Sequence, residues 1–177
     1  MPDSKRLDNV KSILTSDVSR VAKGKRIAEA IRDKGLYRWV GIYEVDIQGG
    51  LVSNIAWSGP SAPTHPIFPV TKGLTARAIA GRKTINVDDL ANDSGYLTAF
   101  DNTRAEIIVP VLDIAGDRVI GTIDVESEHS NAFDTTEQEF LGESPTCWQI
   151  CGPAVINRAA RRPCISKRSA LMRPQRV

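Results

Sequence analysis

Thiols are the most reactive side chains in this sequence, and all three lie near its C-terminus. Cys147, Cys151 and Cys164 fall within residues 144–177, whereas residues 1–143 contain no cysteine. A thiolate can attack an electrophile, become a sulfenic acid and then form a disulfide with a second thiol. Such chemistry in the first 143 residues would depend on Cys147 and Cys151, which lie four residues apart, reaching over from the C-terminal segment.

The two histidines give little support for a metal site. His65 and His129 are each isolated from a cysteine or a second histidine at ligand spacing. An isolated histidine in a loop is most often a solvated side chain. We therefore expect no metal ion and no cofactor.

Three carboxylates fall on what the sequence predicts to be one hairpin. Asp124 and Glu126 are two residues apart on a predicted strand, so they point to the same face. Glu106 begins the neighbouring strand. Three acids at one pocket would attract an ammonium group. The alternative is that they are solvent-facing charges of a half-exposed strand, because they alternate with Ile123 and Val125.

Length and composition favour one ordinary domain. The chain has 177 residues, 41% hydrophobic and 25% charged, which excludes a disordered or collagen-like chain. No apolar run reaches the length of a membrane span, and the N-terminal residues do not lead into a signal-peptide core. We expect a cytoplasmic protein with no membrane partner.

The net charge of +2 conceals an uneven distribution. Seven of the 23 Lys and Arg residues lie in residues 144–177, and none of the 21 Asp and Glu residues does. Such a basic tail suggests nucleic acid, but it lacks interleaved aromatics and repeated Arg-Gly and contains several prolines, so we expect no nucleic-acid partner. The abrupt break indicates a different reading frame or a poorly ordered extension.

The N-terminal region predicts an amphipathic helix. Apolar residues recur every three or four positions over residues 5–34, with an interruption at Gly24 and an end at Gly35. The stripe either packs on its own domain or forms the seam of a homodimer, for which residues 5–22 are the candidate. We take residues 1–21 as a separate N-terminal helix.

Period-two alternation and turn residues predict the elements that follow. Two hairpins are indicated, one over Gln48-Gly49-Gly50 and one over Ala115-Gly116-Asp117. The loops 58–69 and 88–101 are long enough to indicate a functional role. The predicted elements are strands over 37–47 and 51–57, a helix over 74–80, strands over 83–87, 104–114 and 118–127, and a helix over 135–141 that Asp134 and Glu137 begin as a capping box. The predicted fold is α+β, with an antiparallel sheet of about five or six strands flanked by helices.

Five motifs in this order resemble a GAF domain, and more narrowly the GAF subgroup of the free methionine-(R)-sulfoxide reductases. The motifs are Tyr37-Arg38-Trp39-Val40-Gly41-Ile42-Tyr43, Gly59-Pro60, Lys72-Gly73-Leu74, Glu106-Ile107-Ile108-Val109-Pro110-Val111, and Gly121-Thr122-Ile123-Asp124-Val125-Glu126-Ser127 followed by Phe133-Asp134. The resemblance covers most of the chain. It implies a GAF domain over residues 22–143, followed by a basic tail, 144–177, that contains Cys, Pro and Arg.

The resemblance also implies where functional residues should lie. The family's three cysteines correspond to His65, to Thr75 and to Ala99 or Phe100, none of which is a cysteine. The carboxylates that are expected to hold the substrate amino group correspond to Glu106, Asp124 and Glu126. The chain therefore resembles the reductases in its binding residues and departs from them in its nucleophiles.

Five aromatic residues are further candidates for a ligand pocket. Trp39 and Tyr43 share a strand face, which also suits plain core packing, and Trp57 lies on the returning strand. Tyr96 and Phe100 lie in the second long loop and are candidates for a lid.

The sequence leads to one expected function and two alternatives. We expect a small-molecule-binding sensor or regulatory module with an amine-bearing ligand and no catalytic residue. The first alternative is a free methionine-(R)-sulfoxide reductase, which the missing thiols disfavour. The second is an interaction protein with a vestigial pocket. Covalent bilin attachment is disfavoured because residues 1–143 lack a cysteine, and cyclic-nucleotide binding because the chain has no Asn-Lys pair.

Overall fold

A computed structural model describes residues 4–33, 37–93, 100 and 102–150. Four helices and six strands are present in this part of the chain. In chain order they are α1 (Ser4–Thr15), α2 (Arg20–Arg32), β1 (Tyr37–Asp46), β2 (Leu51–Ser58), β3 (Ile67–Pro69), α3 (Gly73–Gly81), β4 (Ile85–Val87), β5 (Ala105–Leu112), β6 (Val119–Ser127) and α4 (Thr135–Ile150), with a single 3₁₀ turn at Leu90–Asn92 between β4 and β5. None of the described helices is long and apolar enough to cross a membrane.

The strands form one antiparallel sheet in the order β3-β2-β1-β6-β5-β4. Both predicted hairpins are present, and Gly50 and Gly116 take positive φ angles of 70° and 76° in their turns, where a side chain would be strained. The pairing of β1 with β6 joins the two hairpins at the centre of the sheet. The predicted α+β class and strand count are confirmed.

The two faces of the sheet are covered differently. One face carries α1, α2 and α4, whose apolar residues form a large core with residues such as Val40, Ile107 and Val125. The other face carries α3 and two smaller apolar clusters, around Trp39 and Tyr43 and around Leu74 and Ile108. The molecule is therefore a helix–sheet–helix stack in which the α3 face is only partly covered by regular structure.

The N-terminal helix is broken at a place that the sequence analysis did not identify. The chain leaves the helix after Thr15, where the Ser16 hydroxyl donates to the Ile13 carbonyl (2.6 Å), and α2 begins with Ser19 accepting from the Ala22 N–H (3.3 Å). Serine side chains compete for backbone groups in this way and favour helix ends. The prediction of an interruption at Gly24 is wrong, because this glycine is buried inside α2.

The apolar stripe of α1 packs on its own domain. Leu7, Val10 and Leu14 are buried in the large core, and α1 contacts α2 and α4. The surface considered as a dimer seam is thus already covered within the chain. A homodimer stays a prediction.

The last helix begins at the predicted cap, Asp134, but the side chain of Glu137 binds residues of other elements and does not complete the capping box. The Asp134 carboxylate accepts from the Glu137 N–H (2.9 Å). The Glu137 carboxylate accepts two bonds from Arg6 Nη1 of α1 (2.9 and 3.1 Å) and one from the Tyr37 hydroxyl. This second residue of the expected capping box therefore ties α1 and β1 to α4.

The prediction that this helix ends at Leu141 is wrong, because α4 continues to Ile150. Phe140 and Ser144 are buried, and the Ser144 hydroxyl donates to the Phe140 carbonyl (2.9 Å). Pro145 lies inside α4 and removes one helical N–H. The first residues of the expected tail are consequently helical. Residues 151–177, with Cys151 and Cys164, lie outside the described part of the chain.

Two further details concern the first hairpin and the segment that follows it. The β1–β6 register shifts between Tyr37 and Trp39, so Tyr37 turns to the helix face and stacks on Phe133 (5.6 Å between ring centroids). The loop predicted over 58–69 contains the short strand β3, which pairs with β2 at the edge of the sheet. An edge position tolerates the prolines of this segment.

We expect Gly121→Ala to destabilise the fold. A Cβ at Gly121 would lie 2.6 Å from the Tyr43 carbonyl oxygen across the central β1–β6 pair, and overpacking of this kind costs about 1–3 kcal/mol. Gly142→Ala is the matched control, since a Cβ there meets nothing within 4 Å in the part of the chain that the structure describes and a helix favours Ala over Gly by about 1 kcal/mol. Urea unfolding of both variants measures the difference. Equal stability of the two would contradict the tight contact at Gly121.

Candidate functional site

A narrow cavity lies on the α3 face of the sheet. Its volume is about 30 Å³, which is room for about two water molecules. The described residues that line it are Tyr43, Pro63, His65, Phe68, Lys72, Gly73, Leu74, Thr75, Glu106, Asp124 and Glu126. Strands β1, β5 and β6 thus supply the floor, and the segment from Pro63 to Thr75 supplies the wall.

The strand register brings the three predicted carboxylates together. Glu106 on β5 lies directly opposite Glu126 on β6, and Asp124 follows two residues away on the same face. Asp124 also lies opposite Gly41 on β1, so it occupies the middle of the sheet. The geometry predicted from the hairpin is therefore present.

All three carboxylates are buried. Their exposed fractions are 6% for Glu106, 8% for Asp124 and 1% for Glu126. The alternative that they are solvent-facing charges of a half-exposed strand is wrong, because α3 and the segment before it cover this face. Within the described residues, Glu106 Oε2 and Asp124 Oδ1 are buried without a hydrogen-bond partner.

Burial and mutual repulsion perturb the acidity of this cluster. Burial, followed by the negative charges of Asp124 and Glu126, raises the pKa of Glu106 well above its ordinary value. Burial and the charge of Glu126 also raise the pKa of Asp124. The hydrogen bond between Glu106 and Asp124 raises the pKa of Glu106 and lowers that of Asp124, while burial raises the pKa of both.

Glu126 has neighbours that partly stabilise its charge. Burial raises its pKa to about 7, against the opposing effects of a hydrogen bond from Thr103 and the positive charge of Arg38. The Thr103 hydroxyl donates to Glu126 Oε2. Burial and the three carboxylates also raise the pKa of Tyr43, so its phenol stays protonated beside them.

Two of the positions that the resemblance assigns to cysteines line the same cavity. His65 lies in the segment before β3, and Thr75 lies in the first turn of α3. Gly73 starts that helix with a φ of 65°, which favours glycine and directs Leu74 and Thr75 towards the sheet, where both are buried. The third position falls at Ala99 or Phe100: Ala99 lies outside the described residues, and Phe100 packs against the apolar cluster of Trp39 and Tyr43.

The aromatic candidates divide into one lining residue and a layer behind it. Tyr43 lines the cavity. Trp39, Trp57 and Phe100 are not among its described lining residues; they belong to the apolar cluster that supports Tyr43. Tyr96 lies outside the described residues.

Trp39 is the centre of that supporting layer. Its ring centroid lies 6.3 Å from that of Tyr43 and 5.8 Å from that of Phe100, and its Nε1 donates to the Ser61 carbonyl (3.2 Å). A Cβ on either Gly41 or Gly59 would come within 2.4 Å of the indole. Two glycines therefore leave the space that this ring fills.

The candidate site residues did not include five residues that line the cavity, Pro63, Phe68, Lys72, Gly73 and Leu74, or the supporting residue Thr103. Phe68 packs edge-on against Tyr43 (5.7 Å between centroids), and Lys72 stands at the mouth, where it precedes α3. Thr103 binds Glu126. Lys72 belongs to the motif Lys72-Gly73-Leu74, which could have indicated its position. Neither a motif nor a regular spacing in the sequence indicated Phe68 or Thr103. In the ranges that the structure describes, no group of three or more His, Cys, Asp or Glu side chains is placed to hold a metal ion.

Comparison with known proteins agrees with this architecture. A sequence profile of the GAF domain matches residues 24–144. The chain belongs to the GAF domain family. The GAF domain-containing protein A of Dictyostelium discoideum is 27% identical over 135 residues, which are 76% of this chain and 82% of that protein.

Free methionine-R-sulfoxide reductases are also among the similar GAF proteins. The enzyme from Neisseria meningitidis, whose X-ray structure was solved in complex with its substrate, superposes with a TM-score of 0.76 and 28% identity over 84% of this chain and 86% of that chain. The Saccharomyces cerevisiae enzyme is 30% identical over 70 residues, which are 40% of this chain and 38% of that protein. The family and the likeness to these reductases are confirmed.

We expect the stability of this GAF domain to fall as pH rises from about 4.5 to about 7. Glu126 has an ordinary pKa of 4.5 and a folded pKa of about 7. The folded state therefore keeps a proton that the unfolded chain has lost, and this stabilisation disappears as pH passes the folded value, by up to about 3 kcal/mol. Urea unfolding at pH 5, 6, 7 and 8 measures it.

Glu126→Gln should remove a part of this slope, while Glu29→Gln, at an exposed position of α2, should leave it intact. A flat stability profile between pH 5 and 8 in the unchanged protein would contradict the buried-carboxylate description.

Proposed function

We propose that this GAF domain is a small-molecule sensor or regulatory module whose ligand bears an amine. The observation that carries the proposal is the convergence of three buried carboxyl groups on one cavity, where two of them have an oxygen that no described residue hydrogen-bonds. An arrangement of this kind is unfavourable in the free protein and needs a compensating partner.

An ammonium group fits the chemistry of these carboxyl groups. It supplies three N–H donors and a positive charge, which would satisfy Glu106 Oε2 and Asp124 Oδ1 and oppose the repulsion that raises their pKa values. A neutral or anionic ligand would leave that repulsion in place. Charge therefore favours a cationic or zwitterionic small molecule.

The wall of the cavity fits a ligand with a short apolar portion. Tyr43, Phe68 and Leu74 present apolar surface beside the carboxyl groups. Because the cavity volume is about 30 Å³, a ligand of amino-acid size requires the segment that carries Pro63 and His65 to move outward. Closure of this segment over a bound amine would be the signal of a sensor.

The comparisons support the same class of ligand. Free methionine-R-sulfoxide, the compound after which the Neisseria enzyme is named, is an amino acid and carries an amine. The reductase activity itself is the second candidate function, and the identity of 28% with that enzyme favours it. The lack of a thiol in residues 1–143 opposes it, because binding alone gives affinity without turnover.

We expect isothermal titration calorimetry to detect binding of methionine or methionine sulfoxide, and no binding of the matching carboxylic acids that lack the amine. Asp124→Asn and Glu106→Gln should weaken binding about tenfold or more, because each removes a charge-assisted hydrogen bond. Both variants should also raise the melting temperature of the free protein, since each relieves buried repulsion.

The exposed Glu29→Gln serves as the control for net charge, and we expect it to change neither quantity. Equal binding of amine-free analogues would contradict the proposal. Absence of binding to any amino compound would favour the alternative of an interaction protein with a vestigial pocket.

We also expect no enzymatic reduction of free methionine-(R)-sulfoxide. The reaction requires an activated thiolate, and His65 and Thr75 stand where the resemblance places two of the cysteines. The assay uses thioredoxin or dithiothreitol as the reductant, on the full chain and on a variant with Cys147, Cys151 and Cys164 all changed to Ser. Turnover that the triple variant loses would show that the C-terminal thiols act in the pocket and would overturn this expectation.

A further inference from the structure

A second, larger cleft lies where β1 begins and β6 ends. Its volume is about 330 Å³, and the described residues that line it are Arg32, Tyr37, Arg38, Pro60, Glu128 and His129. None of these residues lines the carboxylate cavity. Its volume is at the lower end of the range for small-molecule sites.

Two arginines give this cleft its charge. Arg32 comes from the last turn of α2, and its Nε donates to the Arg38 carbonyl (3.0 Å). The Arg38 side chain is only 23% exposed and lies over the Phe100 ring, with its Cζ atom 5.3 Å from the centroid. These contacts restrain both guanidinium groups beside the cleft. The two positive charges lie close together although residues 1–143 as a whole are acidic, with 16 basic and 21 acidic groups.

The side chain of Glu128 forms an ion pair with Arg38 beside this cleft. Glu128 follows the last residue of β6, and its Oε1 accepts from Arg38 Nη1 and from Asn102 Nδ2. The Glu128 side chain is 45% exposed, so it can turn out into solvent without a large loss of buried contacts. The guanidinium and amide groups would then present their donors to an external acid.

We propose that this cleft binds an oxyanion, the carboxylate or phosphate group of a small acid, in exchange for Glu128. Guanidinium forks match the two oxygens of either group. Arg38 supplies a guanidinium fork, of which Nη1 now binds Glu128, Arg32 adds a second positive charge, and Asn102 adds a neutral donor. The residues that line this cleft differ from those that line the amine pocket, and the charge of Arg38 links the two sites through its effect on the pKa of Glu126.

Titration calorimetry with inorganic phosphate and with acetate, each against chloride at equal ionic strength, tests the site. We expect saturable binding of at least one of them. Binding of phosphate without binding of acetate would identify a ligand with a phosphoryl group, and binding of acetate would identify a carboxylic acid. Absence of saturable binding in both the unchanged protein and Glu128→Gln overturns the proposal.

Variants separate the site from general charge. Glu128→Gln should tighten binding several-fold, because it removes the internal competitor. Arg32→Gln and Arg38→Gln should each weaken it about tenfold or more. Arg38→Lys, which keeps the charge and loses the fork, should fall between Arg38→Gln and the unchanged protein, and it remains informative if Arg38→Gln fails to fold.

The matched control is an ion pair in the turn between β5 and β6. Arg118 Nε donates to the Asp113 carboxylate (2.9 Å) at the start of β6, roughly 25 Å from the cleft for nine residues of extended chain. Arg118→Gln and Asp113→Asn should leave anion binding unchanged. If they change it as much as Arg38→Gln and Glu128→Gln do, the effect is non-specific charge and the proposal is wrong.

Discussion

The antiparallel pairing of β1 with β6 is the constraint on which the rest of the molecule depends. Each strand belongs to its own hairpin, and only this pairing joins the two halves of the sheet. It places Gly41 beside Asp124, so the aromatic layer of the first hairpin meets the acids of the second. The same pairing gives the helices α1, α2 and α4 one continuous apolar floor. The β1–β6 register therefore positions both the carboxylate cavity on one face of the sheet and the large apolar core on the other.

Much of this register could be predicted from local pattern. The alternation along β1 and the i, i+2 spacing of Asp124 and Glu126 depend only on strand geometry, and Glu106 joined them through the hairpin. Their burial could not be predicted in the same way, because it depends on the segment before α3 folding over that face. A chain segment without periodicity carries no signal for where it packs, and for that reason Phe68 was missed.

The errors at the helix ends have a common physical origin. Local rules predicted a break at Gly24 and a helix end at Leu141, but Gly24 is buried inside α2 and Ser144, beyond Leu141, is buried in α4. Tyr37 faces the helices because one irregular step in the β1–β6 register turns it away from the face that Trp39 and Tyr43 share. Propensity is worth at most about 1 kcal/mol for an ordinary residue or glycine, and burying a large apolar side chain outweighs it. Where helix propensity and burial disagree, the chain therefore adopts the conformation that buries its apolar side chains.

The contact of Glu137 with Arg6 and Tyr37 has a consequence for local unfolding. Arg6 is held from its other side by the Phe140 ring, with its Cζ atom 3.7 Å from the centroid. If α1 detached, the Glu137 carboxylate and the Tyr37 hydroxyl would lose the arginine, Arg6, that now covers them. The first turn of α4 and the first residue of β1 would then be less stable. These three elements should therefore open as one cooperative unit. Amide protons in α1, although it is a peripheral helix, would exchange with solvent only as often as those at the end of the central strand.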